Sequence, residues 1–271
     1  MLALTKRVLR PLYDYLTCAN FREYIRLLNK YKDVPRFIPE NVRFLNYGLK
    51  AVDCLSFICQ FEEIWMNEIY KFDCQTESPV IYDCGANIGM SVLYFKKIFP
   101  RANIKAFESD PQIFRILEMN LKKNNICDIQ LFNKAVWTEN GSVEFGTDGA
   151  DGGSIFLKTE NKIKVQAVRL KDLIAKEREV DMLKIDIEGA ETKVIADMSE
   201  MLGRVKNLFV EYHSFSNEGQ RLDLLLSVLS GNGFRYYMQT VSQRNGSPFI
   251  NRGDRRTMDM QANIFAYRPR A

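Results

Sequence analysis

Val80-Ile-Tyr-Asp-Cys84 runs directly into Gly85-Ala-Asn-Ile-Gly89 and then into a helix-period segment that stops at Phe99, before Pro100. A short apolar run, a glycine turn and a helix in that order form the first half of a strand–helix–strand crossover, which requires a second, parallel strand beside the first. The rest of the chain repeats this rhythm. Ile104–Phe107 reads as a strand, and Asp110 and Pro111 then supply an N-cap and a first helical residue. Ile129–Phe132, Asp181–Asp186 and Leu208–Tyr212 read as further strands, with helices expected from about Ala190 and over 218–230. Phe234–Met238 and Asn263–Tyr267 are late strands whose roughly twenty-residue connection points to an antiparallel addition. Strands alternating with helices imply an α/β fold with a mostly parallel, doubly wound sheet. Residues 141–168 instead alternate apolar and polar positions around Gly149, Gly152 and Gly153, as hairpin strands do.

Residues 1–78 have a different character and are expected to be a mainly helical extension or cap on the 79–271 domain. Helices are expected over 20–32 and 59–72, with short strands within 42–58. Trp65 and Tyr70 fall at apolar helical spacing and read as core. Leu9, Leu12, Tyr13 and Leu16 beside Lys6, Arg7 and Arg10 make a basic amphipathic stretch. Docking on the core is favoured for it, and peripheral contact with a membrane surface stays open. Hydrophobic residues make up 46% of the chain, enough for a sizeable core without metal or disulfide staples. The six cysteines form no C-x-x-C pair, no secretory signal is visible, and no apolar run is long enough to cross a membrane, so a cytoplasmic protein with reduced thiols is expected. A net charge of +4 is too mild for a nucleic-acid binder. The oligomeric state is not encoded legibly.

The glycine turn carries the first chemistry. Gly85 permits a sharp turn, Gly89 a close approach at the helix start, and free N–H groups there would attract an anionic group. Glu108, at the end of the second strand, can accept both hydroxyls of a ribose. A nicotinamide-dinucleotide fingerprint needs glycines at the first, third and sixth positions. Counted from Gly85, those places hold Asn87 and Met90. An acid at Asp83, two residues before a G-x-x-x-G turn, suits a cationic sulfonium donor. Asp83 and Glu108 are therefore expected to share one crevice.

A second cluster, Lys184-Ile-Asp186-Ile-Glu188-Gly-Ala-Glu191, closes the fourth strand. With DCGANIG (83–89), AFESDP (106–111), NKAVW (133–137) and VEYH (210–213), it resembles the FkbM family of S-adenosylmethionine-dependent methyltransferases over about residues 79–215. The resemblance implies a Rossmann-like, seven-stranded methyltransferase sheet and methylation of a hydroxyl, often on a sugar or natural product. It associates residues 1–78 with members acting on surface polysaccharide or glycolipid. It places Asp83, Gly85, Ala86, Asn87 and Gly89 around the methionine part of the cofactor, Glu108 and Ser109 at the ribose, and Asn133, Ala135 and Val136 near the adenine. Asp186 and Glu188 would meet the acceptor. Cys84 and Ser109 depart from the family's usual Val or Ile and Pro, without loss of a functional group.

His213, the only histidine, lies at another strand end, and an ordinary imidazole suits a general base. Capping a strand end is its alternative role. Asp186 and Glu188 have an alternative in pairing with Lys184 or a helix start. Hard oxygens at Asp186 and Glu188 would also suit Mg²⁺, but no third ligand can be named and no metal is predicted. The turn Gly149–Ser154 reads equally as a lid or a plain hairpin. Arg244, Arg252, Arg255 and Arg256 would hold an anionic group or simply be solvated. The expected function is an S-adenosylmethionine-dependent O-methyltransferase acting on a small-molecule or glycan hydroxyl. A nicotinamide-dependent oxidoreductase and a non-catalytic cofactor-binding module are the alternatives.

Overall fold

The computed structural model describes residues 13, 15–146, 162–216, 218–241, 247, 249–250 and 258–269. The basic stretch before Tyr13, the turn Gly149–Ser154 and the arginines at 244, 252, 255 and 256 lie outside them.

The extension begins with α1 (Ala19–Tyr31), followed by the hairpin β1 (Glu40–Phe44) and β2 (Tyr47–Ala51). Asp53 caps α2 (Cys54–Gln60), accepting the Ser56 N–H at 2.8 Å. This cap is why the helix starts at Cys54, earlier than the expected 59–72. Beyond Gln60 the winding widens to a π-helix over Phe61–Met66, with the Asn67 N–H reaching back to the Glu62 carbonyl at 2.9 Å.

The expected strand–turn–helix unit follows as β3 (Val80–Cys84) and α3 (Met90–Ile98). Next come β4 (Asn103–Phe107) and α4 (Pro111–Lys123), whose first turn Asp110 caps through the N–H groups of Gln112 and Ile113. β5 is Gln130–Phe132. β6 (Ala135–Trp137), β7 (Gly141–Gly146) and β8 (Lys162–Arg169) form a separate three-stranded sheet in the order β6-β8-β7. Then come α5 (Leu170–Ile174), β9 (Val180–Ile185), α6 (Glu191–Asp197), β10 (Val205–Phe215), α7 (Leu222–Gly231), β11 (Arg235–Thr240) and β12 (Met258–Tyr267).

The main sheet has seven strands in the order β11-β12-β10-β9-β3-β4-β5. β12 runs antiparallel to both β10 and β11, and the other pairings are parallel. This is the mostly parallel, doubly wound α/β sheet with an antiparallel late strand. β10 is longer than expected: it pairs with β9 only through Val210, while residues 211–215 continue beside β12 alone.

One apolar core joins the extension to the sheet. Leu27, Phe44, Phe57, Phe61, Trp65 and Tyr70 pack with Ile81, Tyr94, Phe95, Leu117 and Phe209. The Trp65 ring lies edge-on 5.0 Å from Phe44 and 5.6 Å from Tyr94, and Tyr70 lies edge-on 4.9 Å from Phe209. Buried Asn120 on α4 fastens the same seam. Its amide donates to the carbonyls of Lys50 at 3.1 Å and Ile88 at 2.9 Å, and its oxygen accepts from the Lys50 N–H at 2.7 Å. A second core, including Leu183, Ile185, Val194, Leu225 and Ile264, lies under α5–α7. Among the described residues no helix is long and apolar enough to cross a membrane.

Candidate functional site

The carboxyl ends of β3, β4, β9 and β10 converge on a cavity of about 430 Å³, within the usual size of small-molecule sites. The extension closes its other side with Arg36, Leu55, Ser56, Glu63 and Tyr70.

Gly85, Asn87 and Gly89 all have positive φ, at 91°, 46° and 98°. A Cβ on Gly85 would stand 1.8 Å from the Asp186 carbonyl oxygen, so this glycine is required where the ends of β3 and β9 touch. A Cβ on Gly89 would meet Leu117 Cδ1 at 2.9 Å. Its close approach is therefore to α4, and Gly89 does not line the cavity. The amides of the turn itself are engaged, and the helix start expected to offer free N–H groups falls at Met90, after it. Gly85 and Ala86 donate to the Phe107 carbonyl, Asn87 to Glu108, Ile88 to the Asn87 side chain and Gly89 to the Ala86 carbonyl. Hydrogen bonds within the protein occupy all five amides, so the turn from Gly85 to Gly89 offers no anion hole.

Glu108 reaches the cavity wall as expected. Its two oxygens accept the Asn87 and Asp110 N–H groups at 2.9 Å each. Lone pairs remain for ribose hydroxyls. Burial pushes its carboxyl up to about 7, against the pull of the Asp110 and Asn87 amides. Ser109, Ala135 and Val136 line the cavity beside Phe107, Ile113 and Phe145, an apolar slot of the kind a purine fills. Asn133 does not line it and instead donates to the Glu108 and Ser109 carbonyls at 2.9 and 3.2 Å, holding that loop in place.

Asp83 departs from expectation. It is fully buried and lies behind the cavity rather than in its wall. There Ser91 donates to Oδ2 at 2.5 Å and Lys184 Nζ stands 3.4 Å from Oδ1. Ser91 and Lys184 both line the cavity, so Asp83 acts through them. Lys184 also donates to the Gly85 carbonyl at 2.7 Å and meets Asp186 Oδ2 at 3.2 Å. Burial opposes its charge, but Asp186 and Asp83 outweigh that and hold the ammonium firmly protonated.

Asp186, Glu188 and His213 do meet in the cavity wall, joined by Glu211 and Glu63, which sequence reasoning missed as site residues. Glu211 and His213 share one face of β10 because strand side chains alternate, so the VEYH motif already held the signal. Nothing in the sequence betrays the π-helical winding that carries Glu63. His213 Nδ1 lies 3.1 Å from buried Glu191, and Nε2 lies 3.6 Å from Glu188 and 3.7 Å from Glu211. Burial opposes the imidazolium, but Glu188, Glu191 and Glu211 overcome it and raise the imidazole well above its ordinary value. His213 thus sits among three carboxylates whose charge favours the imidazolium. Burial, together with Asp186, raises Glu211 to about 8. Burial also raises Glu188, partly offset by His213. Glu188 itself sits at φ 56° in the loop after β9, a conformation seldom adopted by residues with a side chain.

The side chains spaced to hold a metal ion are Asp186, Glu211 and His213, with candidate ligand atoms within 4.8 Å of one another. The Asp186–Glu188 pair weighed from sequence is not among them.

The chain is similar to known methyltransferases. It is 26% identical over 176 residues to methyltransferase 1 of Beauveria bassiana, covering 55% of this chain and 71% of that protein. It is 28% identical over 155 residues to the 2-O-methyltransferase NoeI of Sinorhizobium fredii, covering 49% of this chain and 63% of that protein. A solved methyltransferase FkbM from Methylobacillus flagellatus superposes with a TM-score of 0.45 at 16% identity, covering 74% of this chain and 46% of that one. The methyltransferase FkbM domain itself matches residues 83–236. Because that match spans more than half of the sequence, the chain belongs to the FkbM methyltransferase family.

Proposed function

We propose that the protein transfers the methyl group of S-adenosylmethionine to a hydroxyl of a sugar, with residues before 79 forming a cap that completes the acceptor end. The observation that carries this reading is a single cavity with a ribose-type carboxylate at one end and an excess of acid at the other. Glu108 and the apolar slot of Phe107, Ile113, Ala135, Val136 and Phe145 fit a nucleoside. Near Lys184 and His213 the wall carries Asp186, Glu188 and Glu211, a donor set that favours a cationic ligand such as a sulfonium. When bound, the sulfonium supplies a methyl carbon already activated for in-line displacement.

The chain's own residues orient the acceptor and take its proton. Asp186, fixed by Lys184, faces the cavity at the end of β9 and is the group assigned to receive the hydroxyl proton as the C–O bond forms and the S–CH₃ bond breaks. The products are a methyl ether and S-adenosylhomocysteine.

Named relatives support oxygen as the acceptor atom: a 2-O-methyltransferase, 31-O-demethyl-FK506 methyltransferase FkbM of Streptomyces tacrolimicus and hexuronic acid methyltransferase AglP of Haloferax volcanii. Those names span neutral and acidic acceptors and leave the acceptor's charge here open.

Calorimetric titration with S-adenosylmethionine and with NAD tests the cofactor assignment: binding of the first alone is expected, and binding of NAD alone overturns it. Incubating the protein and S-adenosylmethionine with sugar and glycolipid extracts is expected to yield a product one CH₂ heavier. Cofactor binding without any such product would favour a non-catalytic binding module.

A further inference from the structure

One acid of the cavity comes from neither the sheet nor the motifs. Glu63 lies on the π-helix of the extension, half-buried, lining the cavity opposite the ends of β9 and β10. π-Helical turns inside helices are frequently found at functional sites. The carboxylate has neither a hydrogen bond nor an ion pair with any described residue, whereas its neighbours are engaged. Asp53 takes Arg36, and Glu68 takes Lys71. Asp186 and Glu211 face Glu63 closely enough to repel it electrostatically.

The cations of this end are already committed. Lys184 is shared between Asp83 and Asp186, and His213 is held by Glu188, Glu191 and Glu211. Among the described residues, an arriving carboxylate or phosphate would meet Glu63, Asp186 and Glu211, and the further cation on that wall, Arg36, is paired with Asp53. A hydroxyl, by contrast, donates to a carboxylate without adding charge.

Building on the proposed sugar O-methylation, we propose that Glu63 is the specificity-determining residue of the acceptor end, accepting a hydrogen bond from a second hydroxyl of an uncharged or amine-bearing sugar and excluding anionic ones. The assignment concerns acceptor selection only. It leaves the cofactor end unchanged, because Glu63 comes from the extension whereas Glu108 and the nucleoside slot are built by residues 107–145.

Three sugars sharing one ring separate the possibilities: methyl β-D-glucoside, methyl β-D-glucosaminide and methyl β-D-glucuronide. Each is titrated into the full chain with and without S-adenosylhomocysteine, and binding is read by saturation-transfer NMR. The glucoside and glucosaminide are expected to bind at least about ten-fold more tightly than the glucuronide, the equivalent of one charge-assisted hydrogen bond. Glu63→Gln is expected to weaken the glucoside about ten-fold and to narrow the gap to the glucuronide, with unchanged affinity for the neutral sulfur of S-adenosylhomocysteine showing that the fold is intact. Glu63→Lys is expected to reverse the ranking.

Equal binding of glucoside and glucuronide, binding of none of the three, or a Glu63→Gln variant with the original ranking overturns the proposal. Failure of S-adenosylhomocysteine to bind strikes the methyl-transfer reading instead, while the sugar ranking without it still judges Glu63.

Discussion

Asp83 and Asp186 show how one residue type takes two roles according to its position on the pleat. Asp83 points into the sheet and holds Lys184 and Ser91, whereas Asp186 stands past the end of β9 with an edge open to the cavity. Asp186→Asn is expected to leave S-adenosylhomocysteine affinity within a few-fold and to lower turnover about a hundred-fold or more, the usual weight of a positioned proton acceptor, measured by mass-resolved product formation. Unchanged turnover removes Asp186 from the chemistry. Glu63 makes a second residue-scale prediction. Burial, with Asp186 and Glu62 nearby, raises it to about 7, above its unfolded value. The folded state therefore binds the extra proton, and the stability this lends is complete below the unfolded carboxylate range and is lost as pH rises through about 7. The melting temperature should fall between about pH 4.5 and about pH 7, and less steeply in Glu63→Gln. Equal slopes in the two proteins would refute this. Asp186 and Glu188 were legible as site residues because an acid at a strand end has few other uses. Glu63 was not, because its direction depends on a helical winding that leaves no mark in composition.

At the scale of elements, the glycine turn is governed by contacts between strands and helices more than by its ligand. Gly85 is held open by the Asp186 carbonyl and Gly89 by Leu117. Gly85→Ala combines a backbone clash with a left-handed φ and is expected to cost about 3 kcal/mol or more, whereas Gly89→Ala meets the movable end of a leucine and is expected to cost about 1–2 kcal/mol. Urea unfolding of the two variants gives the order directly, and a cheaper Gly85→Ala would refute it. Most of the elements were readable because their signals are local. Asp110 and Pro111 announce α4, and the apolar run from Val80 announces β3. The overrun of β10 was not readable, since residues 211–215 alternate like any strand whether or not a neighbour accompanies them. The occupied amides of residues 85–89 were hidden for a related reason. Their partners, the Phe107 carbonyl and Glu108, come from the next strand.

Over the whole molecule, the extension and the sheet are fastened by one aromatic core and by the amide of Asn120. Trp65→Ala empties the centre of that core and is expected to cost about 3–5 kcal/mol. If the seam is cooperative, far-UV ellipticity and Trp137 fluorescence of this variant should report a single coincident transition in urea. Two separated transitions would show that the extension melts by itself. The sequence separated these regions by character, but it could not show that Leu27, Phe44 and Trp65 bury against Tyr94 and Phe95, because nothing local records a partner distant along the chain. The same arrangement divides the binding space unequally. Glu211 and His213 ride on the part of β10 that has outrun β9 and leans only on β12, while Glu108 is gripped by amides from the loops after β3 and β4. Substitutions along β12 are therefore expected to tilt that projecting ribbon and the side chains it carries, while Glu108, anchored elsewhere, stays put.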